Sequence, residues 1–350
     1  MAQQTSGSES LADFHSALVE AKRIVAILGA GVSASSGLPT YTNNNKTRNL
    51  WRNYRGDQLA TPLAFQHDPG LLWQYYSHMR HLALIAQPNV AHLALAELAK
   101  RVPEFVTLTQ NIDNLSQRAG HPGDRLHELH GNLFNLRCCD VDCGYTEKGN
   151  FQDPLTPALA TVNDPEPVTG STDAAASTIL ARKATPWLLE GIVRKNKQIL
   201  GQKYQDIAPT LADQAPLKTA QDESLESRIA MVSEPSWIPH ESLPRCPKCS
   251  VNLLRPDIIW FGEALSETIV QQVDDIFNDP RPIDLFLVIG TSSTVWPAAG
   301  LPELARNKGA RIAVINMDTE NVRSLRPGVD WIFGGDASTL VPELLKPLLD

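Results

Sequence analysis

Residues Arg23–Gly31 read RIVAILGAG, an unbroken apolar run that stops on glycines. Such a run has no polar face, so both of its faces need covering. That is the pattern of a central strand in a parallel sheet, followed by a tight turn. Runs of the same kind recur as EFVTLT (104–109), IDLFLVIG (283–290), RIAVIN (311–316) and DWIF (330–333). Between them, apolar residues recur at helical spacing over Ser10–Lys22, Asn89–Lys100, Ser266–Phe277, Pro297–Lys308 and Leu340–Leu348. Buried strands alternating with helices predict an α/β fold, a Rossmann-like doubly wound parallel sheet.

From about Arg137 to Arg255 the alternation stops. The expected architecture is one large domain made of residues 1–136 and 256–350, with a smaller module, 137–255, inserted between them. Inside the module, a long polar stretch rich in Pro, Ala, Thr, Asp and Ser (about 160–235) is expected to be partly disordered around one helix near 185–204.

The net charge of −8 argues against a broad grip on nucleic acid, which needs a basic face, yet leaves room for a lysine-rich protein segment. No apolar run approaches the roughly 18 residues of a membrane span. The N-terminal MAQQTSGSESLADFHS has neither an apolar signal core nor arginines, so nucleus or cytoplasm is expected ahead of mitochondrion. Thiols stay reduced there, and paired cysteines then suggest metal.

The five cysteines fall at 138, 139, 143, 246 and 249. Cys246 and Cys249 form a C-x-x-C knuckle in RCPKCS. Cys143 pairs with Cys138 or Cys139. Free thiols or a redox pair at 246/249 are the alternatives. Cys138, Cys143, Cys246 and Cys249 are favoured as a closed structural Zn²⁺ site, with Cys139 spare. Sulfur saturation leaves no position for activating water, so nearby His130 is not needed as a ligand.

Downstream of the first run, GAGVSASSGLPT places Gly29, Gly31 and Ala34 as G-x-G-x-x-A. The first glycine permits the turn, the second lets a phosphate approach, and the small third residue packs helix on strand. Amides at the helix start would hold a pyrophosphate. The acidic residue usual about 20 residues further on is missing, so a dinucleotide would be handled differently from an ordinary dehydrogenase.

Eight segments in this order resemble the sirtuins, NAD-dependent protein lysine deacylases. They are GAGVSASSGLP, TQNIDNL (109–115), LHGNLF (129–134), the two knuckles, RPDIIWFGE (255–263), GTSS (290–293) and VIN (314–316). ATPLAFQHDPGLLW (60–73), PALA (157–160) and LPRCPKC (243–249) resemble the desuccinylase class. The resemblance implies that NAD is consumed: nicotinamide leaves and the acyl group passes to ADP-ribose. His130 matches the general base, with Asn111 beside it. Gly29, Ala30, Gly31 and Ser33 match the phosphate turn. Gln110, Asn111, Ile112 and Asp113 match the loop for the nicotinamide ribose and carboxamide. Gly290, Thr291, Ser292 and Asn316 match ribose contacts, and Ala337, next to Asp336, lies where the chain closes over adenine. Ile259, Trp260, Phe261, Gly262 and Glu263 match the segment that pairs with an acyl-lysine peptide, a histone among the candidate substrates.

Two departures stand out. Tyr41 and Thr42 occupy the family's phenylalanine and arginine positions, with Lys46 and Arg48 the nearby cations. The desuccinylase class holds its dicarboxylic acyl group by Tyr-x-x-Arg. Here Tyr76 is retained, Met79 replaces the arginine, and Arg80 lies about 100° further round a helix. The expectation is therefore a preference for acetyl or a short apolar acyl group. Desuccinylation or demalonylation, protein ADP-ribosylation, and a weakly active NAD-binding scaffold are the alternatives. Oligomeric state is left open.

Overall fold

The computed structural model describes residues 7–40, 50–51, 54–160, 238–319, 322 and 325–350. Tyr41, Thr42, Lys46, Arg48 and nearly all of the 160–235 insertion, its expected helix included, lie outside the described residues. In chain order the elements begin with α1 (Gly7–Glu20), β1 (Ile24–Leu28), β2 (Leu50–Trp51), β3 (Tyr54–Arg55), α2 (Gly56–Leu59) and α3 (Pro62–His67). Next come α4 (Pro69–Ile85), α5 (Val90–Arg101), β4 (Phe105–Thr109), α6 (Leu115–Arg118) and β5 (Leu126–Glu128). β6 (Gly131–Cys138), β7 (Thr146–Glu147), β8 (Leu254–Ile258), α7 (Glu267–Asn278) and β9 (Leu285–Ile289) follow. The chain closes with α8 (Leu301–Asn307), β10 (Arg311–Asn316), β11 (Trp331–Gly334) and α9 (Ala337–Leu349).

These elements form two compact units. The first falls within Met1–Asn44, Ile85–His130 and Ser266–Asp350. Its six-stranded sheet runs β11-β10-β9-β1-β4-β5, and every neighbouring pair is parallel. All five residues of β1 and of β9 are buried, as strands covered on both faces must be. One core joins Phe14 and Leu18 of α1, Leu95 and Leu98 of α5, Leu28, Leu287 and Ile315 of the sheet, and Val341 and Leu344 of α9. Helix α5 starts where Asn89 caps it: the side chain accepts the Ala91 N–H at 3.0 Å, and the Asn89 N–H donates to His92 Nδ1 at 3.2 Å. The helix expected over Pro297–Lys308 is shorter, Leu301–Asn307. Pro302 lies in its first turn, where the missing N–H costs no bond.

The second unit falls within Asn45–Leu84 and Gly131–Leu265. Its main sheet, β7-β6-β8, is antiparallel. The boundaries differ from the expected 136 and 255, because β6 pairs with β8 from Gly131↔Ile258 to Cys138↔Leu254 and a hydrogen-bonded sheet cannot be split. Helix α4 joins this unit too. Trp73 Nε1–H donates to Leu254 O at 2.9 Å, and Ser77 Oγ–H to Leu159 O at 2.9 Å.

Candidate active site and metal centre

In the first unit the chain leaves β1 for β4 on one side, while β9 lies on the other. The sheet therefore reverses its order between β1 and β9, and ligands of open α/β sheets bind at the carboxyl ends of strands at such a point. The strand ends are level there: Leu28 pairs with both Thr109 and Ile289. Gly29–Gly31 follow β1, Gln110–Asp113 follow β4, His130 follows β5 and Gly290–Ser292 follow β9. Asn316 ends β10, and Ala337 opens α9 after β11. The cofactor residues expected from sequence, Tyr41 apart, thus share one sheet edge.

The glycine turn differs from its expected form. Ala30–Val32 and Ala34–Ser36 are two 3₁₀ turns, not the start of an α-helix, and Ala34 is exposed rather than packed on a strand. The glycines are needed because two turns cross. Gly29 N–H donates to Ile289 O at 2.9 Å, and Gly31 N–H to Gly290 O at 2.8 Å. A Cβ on Gly31 would lie 2.7 Å from Gly290 Cα, and one on Gly290, at φ +63, 2.5 Å from Val32 N.

Ser33 is buried in a chain of hydrogen bonds that sequence reading missed. His92 Nδ1 accepts from Asn89, so its Nε2–H donates to Ser33 Oγ at 3.3 Å. Ser33 Oγ–H donates to Asp113 Oδ2 at 2.6 Å, and Asp113 Oδ1 accepts the Leu115 N–H at 2.9 Å. Asn111 Nδ2–H reaches Gly29 O at 3.0 Å and Ser33 Oγ at 3.3 Å. Asn111, Asp113 and Ser33 thereby lock the loop after β4 to the glycine turn. The sequence signal that could have found His92 is its place three residues after the capping Asn89.

His130 is half-buried, and its Nδ1 lies 3.1 Å from Gln110 O. A carbonyl only accepts, so Nδ1 carries the proton and Nε2 keeps its lone pair. Burial pushes this imidazole below its ordinary value, with the Gln110 carbonyl opposing the shift. Thr291 Oγ1 is 2.7 Å from Gln110 Oε1, and Asn316 Nδ2–H donates to Thr291 O at 2.9 Å. Amide and hydroxyl groups with one carboxylate suit sugar hydroxyls and a carboxamide. That donor set fits a nicotinamide dinucleotide.

In the second unit Tyr76 stacks on Trp260, with ring centroids 6.2 Å apart and planes 16° off parallel. Phe65 closes on the same indole at 5.3 Å. Phe261 N–H donates to Ala60 O at 2.9 Å, and Gly262 sits at φ +87. Glu263 and Arg80 have other work than the substrate contacts expected of them. Glu263 takes Arg255 in a bidentate pair at 2.6 and 2.8 Å and caps the Trp260 N–H at 2.8 Å, while the Arg255 guanidinium lies 3.3 Å from the indole centroid. Arg80 is buried, and it donates to the carbonyls of Leu133, Asn150 and Gln152. Met79 is half-buried beside it, and Ile259 is half-buried at the end of β8.

Cys138, Cys143, Cys246 and Cys249 converge, with their sulfurs within 4.8 Å of one another. Cys138 and Cys249 Sγ are 3.9 Å apart, Cys143 and Cys246 Sγ 3.6 Å. Tetrahedral Zn–S bonds of about 2.3 Å space sulfurs by about 3.8 Å, so the cluster fits one Zn²⁺. Burial pushes the Cys138 thiol up to about 12, whereas the N–H groups of Asn252 and Val251 draw Cys249 down to about 6. A divalent cation would hold all four as thiolates. Cys139 is exposed and stands outside the cluster.

A parallel sheet with a glycine crossing at its switch point, in a chain that also folds a four-cysteine module, defines a nucleotide-binding protein with a structural metal centre. Residues 29–169 and 216–297 match the model of the Sir2 family. An NAD-dependent protein deacylase of Candida albicans is 38% identical over 346 residues, covering 98% of this chain and 99% of that protein. The mitochondrial NAD-dependent protein deacylase sirtuin-5 of Canis lupus familiaris is 33% identical over 345 residues, covering 97% and 86%. A solved Sir2 homologue in complex with NAD superposes with a TM-score of 0.63 at 26% identity, over 99% of this chain and 96% of that one. The chain belongs to the Sir2 family.

Proposed function

We propose that the protein is an NAD-dependent protein-lysine deacylase, which releases nicotinamide and passes the acyl group to ADP-ribose. The observation that carries this reading is the His130 imidazole at the carboxyl edge of the sheet, with its Nδ1 3.1 Å from Gln110 O and its Nε2 left as the basic nitrogen. Bound NAD supplies a ribose carbon made reactive by its cationic leaving group. Nε2 of His130 takes a proton from a ribose hydroxyl, and burial keeps the ring neutral near pH 7 so that it can do so. Asn111 and Asp113, tied to Gly29 and Ser33, keep the ribose loop in place. The four cysteines hold zinc as a structural centre. A lysine-rich protein such as a histone suits a chain of net charge −8.

The acyl group is acetyl or another short apolar chain rather than succinyl or malonyl. Among the described residues, Met79 offers a carboxylate no bidentate partner where the desuccinylase class has an arginine, at a cost of about 3 kcal/mol. Arg80 is engaged by three carbonyls and is not at liberty to replace the missing arginine. Purified protein, NAD and acetyl-, butyryl- and succinyl-lysyl peptides, followed by mass spectrometry, test both statements. Nicotinamide release that vanishes in His130→Ala, with acetyl removed faster than succinyl and the gap narrowed by Met79→Arg, is expected. Faster succinyl removal by the wild type overturns the acyl assignment. Label transferred from NAD to protein without deacylation overturns the reaction.

A further inference from the structure

The hydroxyl of Thr291 both donates and accepts a hydrogen bond within the protein. Thr291 is only 9% exposed. Its Oγ1 accepts the Ser293 N–H at 3.2 Å and lies 2.7 Å from Gln110 Oε1. With the Ser293 N–H received, its own proton goes to Gln110, whose carbonyl oxygen only accepts. The Gln110 carboxamide is thereby oriented with its oxygen toward Thr291 and its NH₂ away. The Gln110 main chain is pinned twice more: its N–H donates to Leu28 O at 2.9 Å, and its C=O accepts the His130 Nδ1–H. Three bonds of one residue therefore join the loop after β9, the end of β1 and the histidine after β5.

We propose that Thr291 is a positioning residue for the base, its hydroxyl fixing the Gln110 side chain so that the Gln110 main-chain carbonyl holds His130 in the Nδ1–H tautomer. The kinetic consequence rests on the deacylase reading; the tautomer does not. Thr291→Val keeps the shape and removes the hydroxyl, while the bonds from the Asn316 side-chain Nδ2–H to Thr291 O, 2.9 Å, and from Gly290 N–H to Ile315 O, 2.9 Å, stay in place.

The test uses the full zinc-loaded chain with ¹⁵N-labelled histidine, and His130→Gln identifies the His130 signals. Long-range ¹⁵N–¹H spectra of wild type and Thr291→Ser should show a protonated Nδ1 and a bare Nε2. In Thr291→Val the Nε2–H population should rise about three- to tenfold, the range that one neutral hydrogen bond supplies. Nicotinamide release should fall in kcat in proportion to the Nδ1–H tautomer that the spectra show to be lost, with KM for the acyl peptide unchanged, and Thr291→Ser should restore it. If Thr291→Val does not fold, Gln110→Met breaks the same link and should mix the tautomers likewise. A wild-type tautomer in the folded valine or methionine variant, or failure of serine to rescue, overturns the proposal. Wild type with the Nδ1–H tautomer but no nicotinamide release on any acyl peptide overturns the deacylase reading and leaves the Thr291 result standing.

Discussion

Glu263 and Arg80 show how a residue type can be legible while its task is not. Each is a charged side chain at or next to a motif position, and the family resemblance assigns both to substrate. Burial assigns them to the protein. Arg255 is 6% exposed and among the described residues finds its carboxylate only in Glu263, whose Oε1 also lies 3.6 Å from Arg137 Nη2. Removing that carboxylate leaves two guanidinium groups without their shared partner and uncaps the Trp260 N–H. Glu263→Ala should therefore cost about 3 kcal/mol in urea unfolding, and Glu263→Asp distinctly less, since an unpaired buried charge is the expensive state. An unchanged midpoint for Glu263→Ala would mean that the pair is solvated and the clamp ineffective.

Among the elements, β1, β4, β9 and β10 were readable because a strand covered on both faces is apolar along most of its length. β6 and β8 were not. Gly131–Cys138 and Leu254–Ile258 carry Asn, Arg, Pro and Asp, and it is pairing with each other, and of β6 with β7, that makes them strands. The metal links the same two segments, since Cys138 ends β6 and Cys246–Cys249 precede β8. Chelation should then lower the unfolding temperature and release one zinc per chain, as should Cys246→Ser, because that sulfur is fully buried. Cys139→Ser, at the exposed neighbouring thiol, should leave both zinc content and unfolding temperature as they are. Zinc measured by atomic absorption beside thermal unfolding checks all three.

Taken whole, the chain buries histidines in their neutral form. His92, His121, His127 and His130 are all shifted below the ordinary 6.5, burial being the largest cause for each. Unfolding returns them to that ordinary value, so below about pH 6.5 the unfolded chain binds more protons than the folded one. Their contribution is fully present above that pH and is lost as the pH falls through the folded values. Asp330 and Asp336, depressed from 3.8, act only in a lower window. Thermal midpoints should hold steady from pH 8 to 7 and then decline toward pH 5. A midpoint that rises on acidification would contradict the neutral burial of these rings.

Sequence alone determined what repeats or concentrates along the chain. Apolar runs named the central strands, clustered cysteines named the metal ligands, and ordered motifs named the sheet-edge residues. Each signal is local, because a covered strand or a sulfur knuckle has to be written in consecutive residues. Tertiary structure decided what depends on partners far apart in the chain: why Gly31 and Gly290 cannot carry a side chain, which charges are engaged, and where the two units divide. Those outcomes turn on distances across folded backbone, and no spacing along a linear chain encodes them.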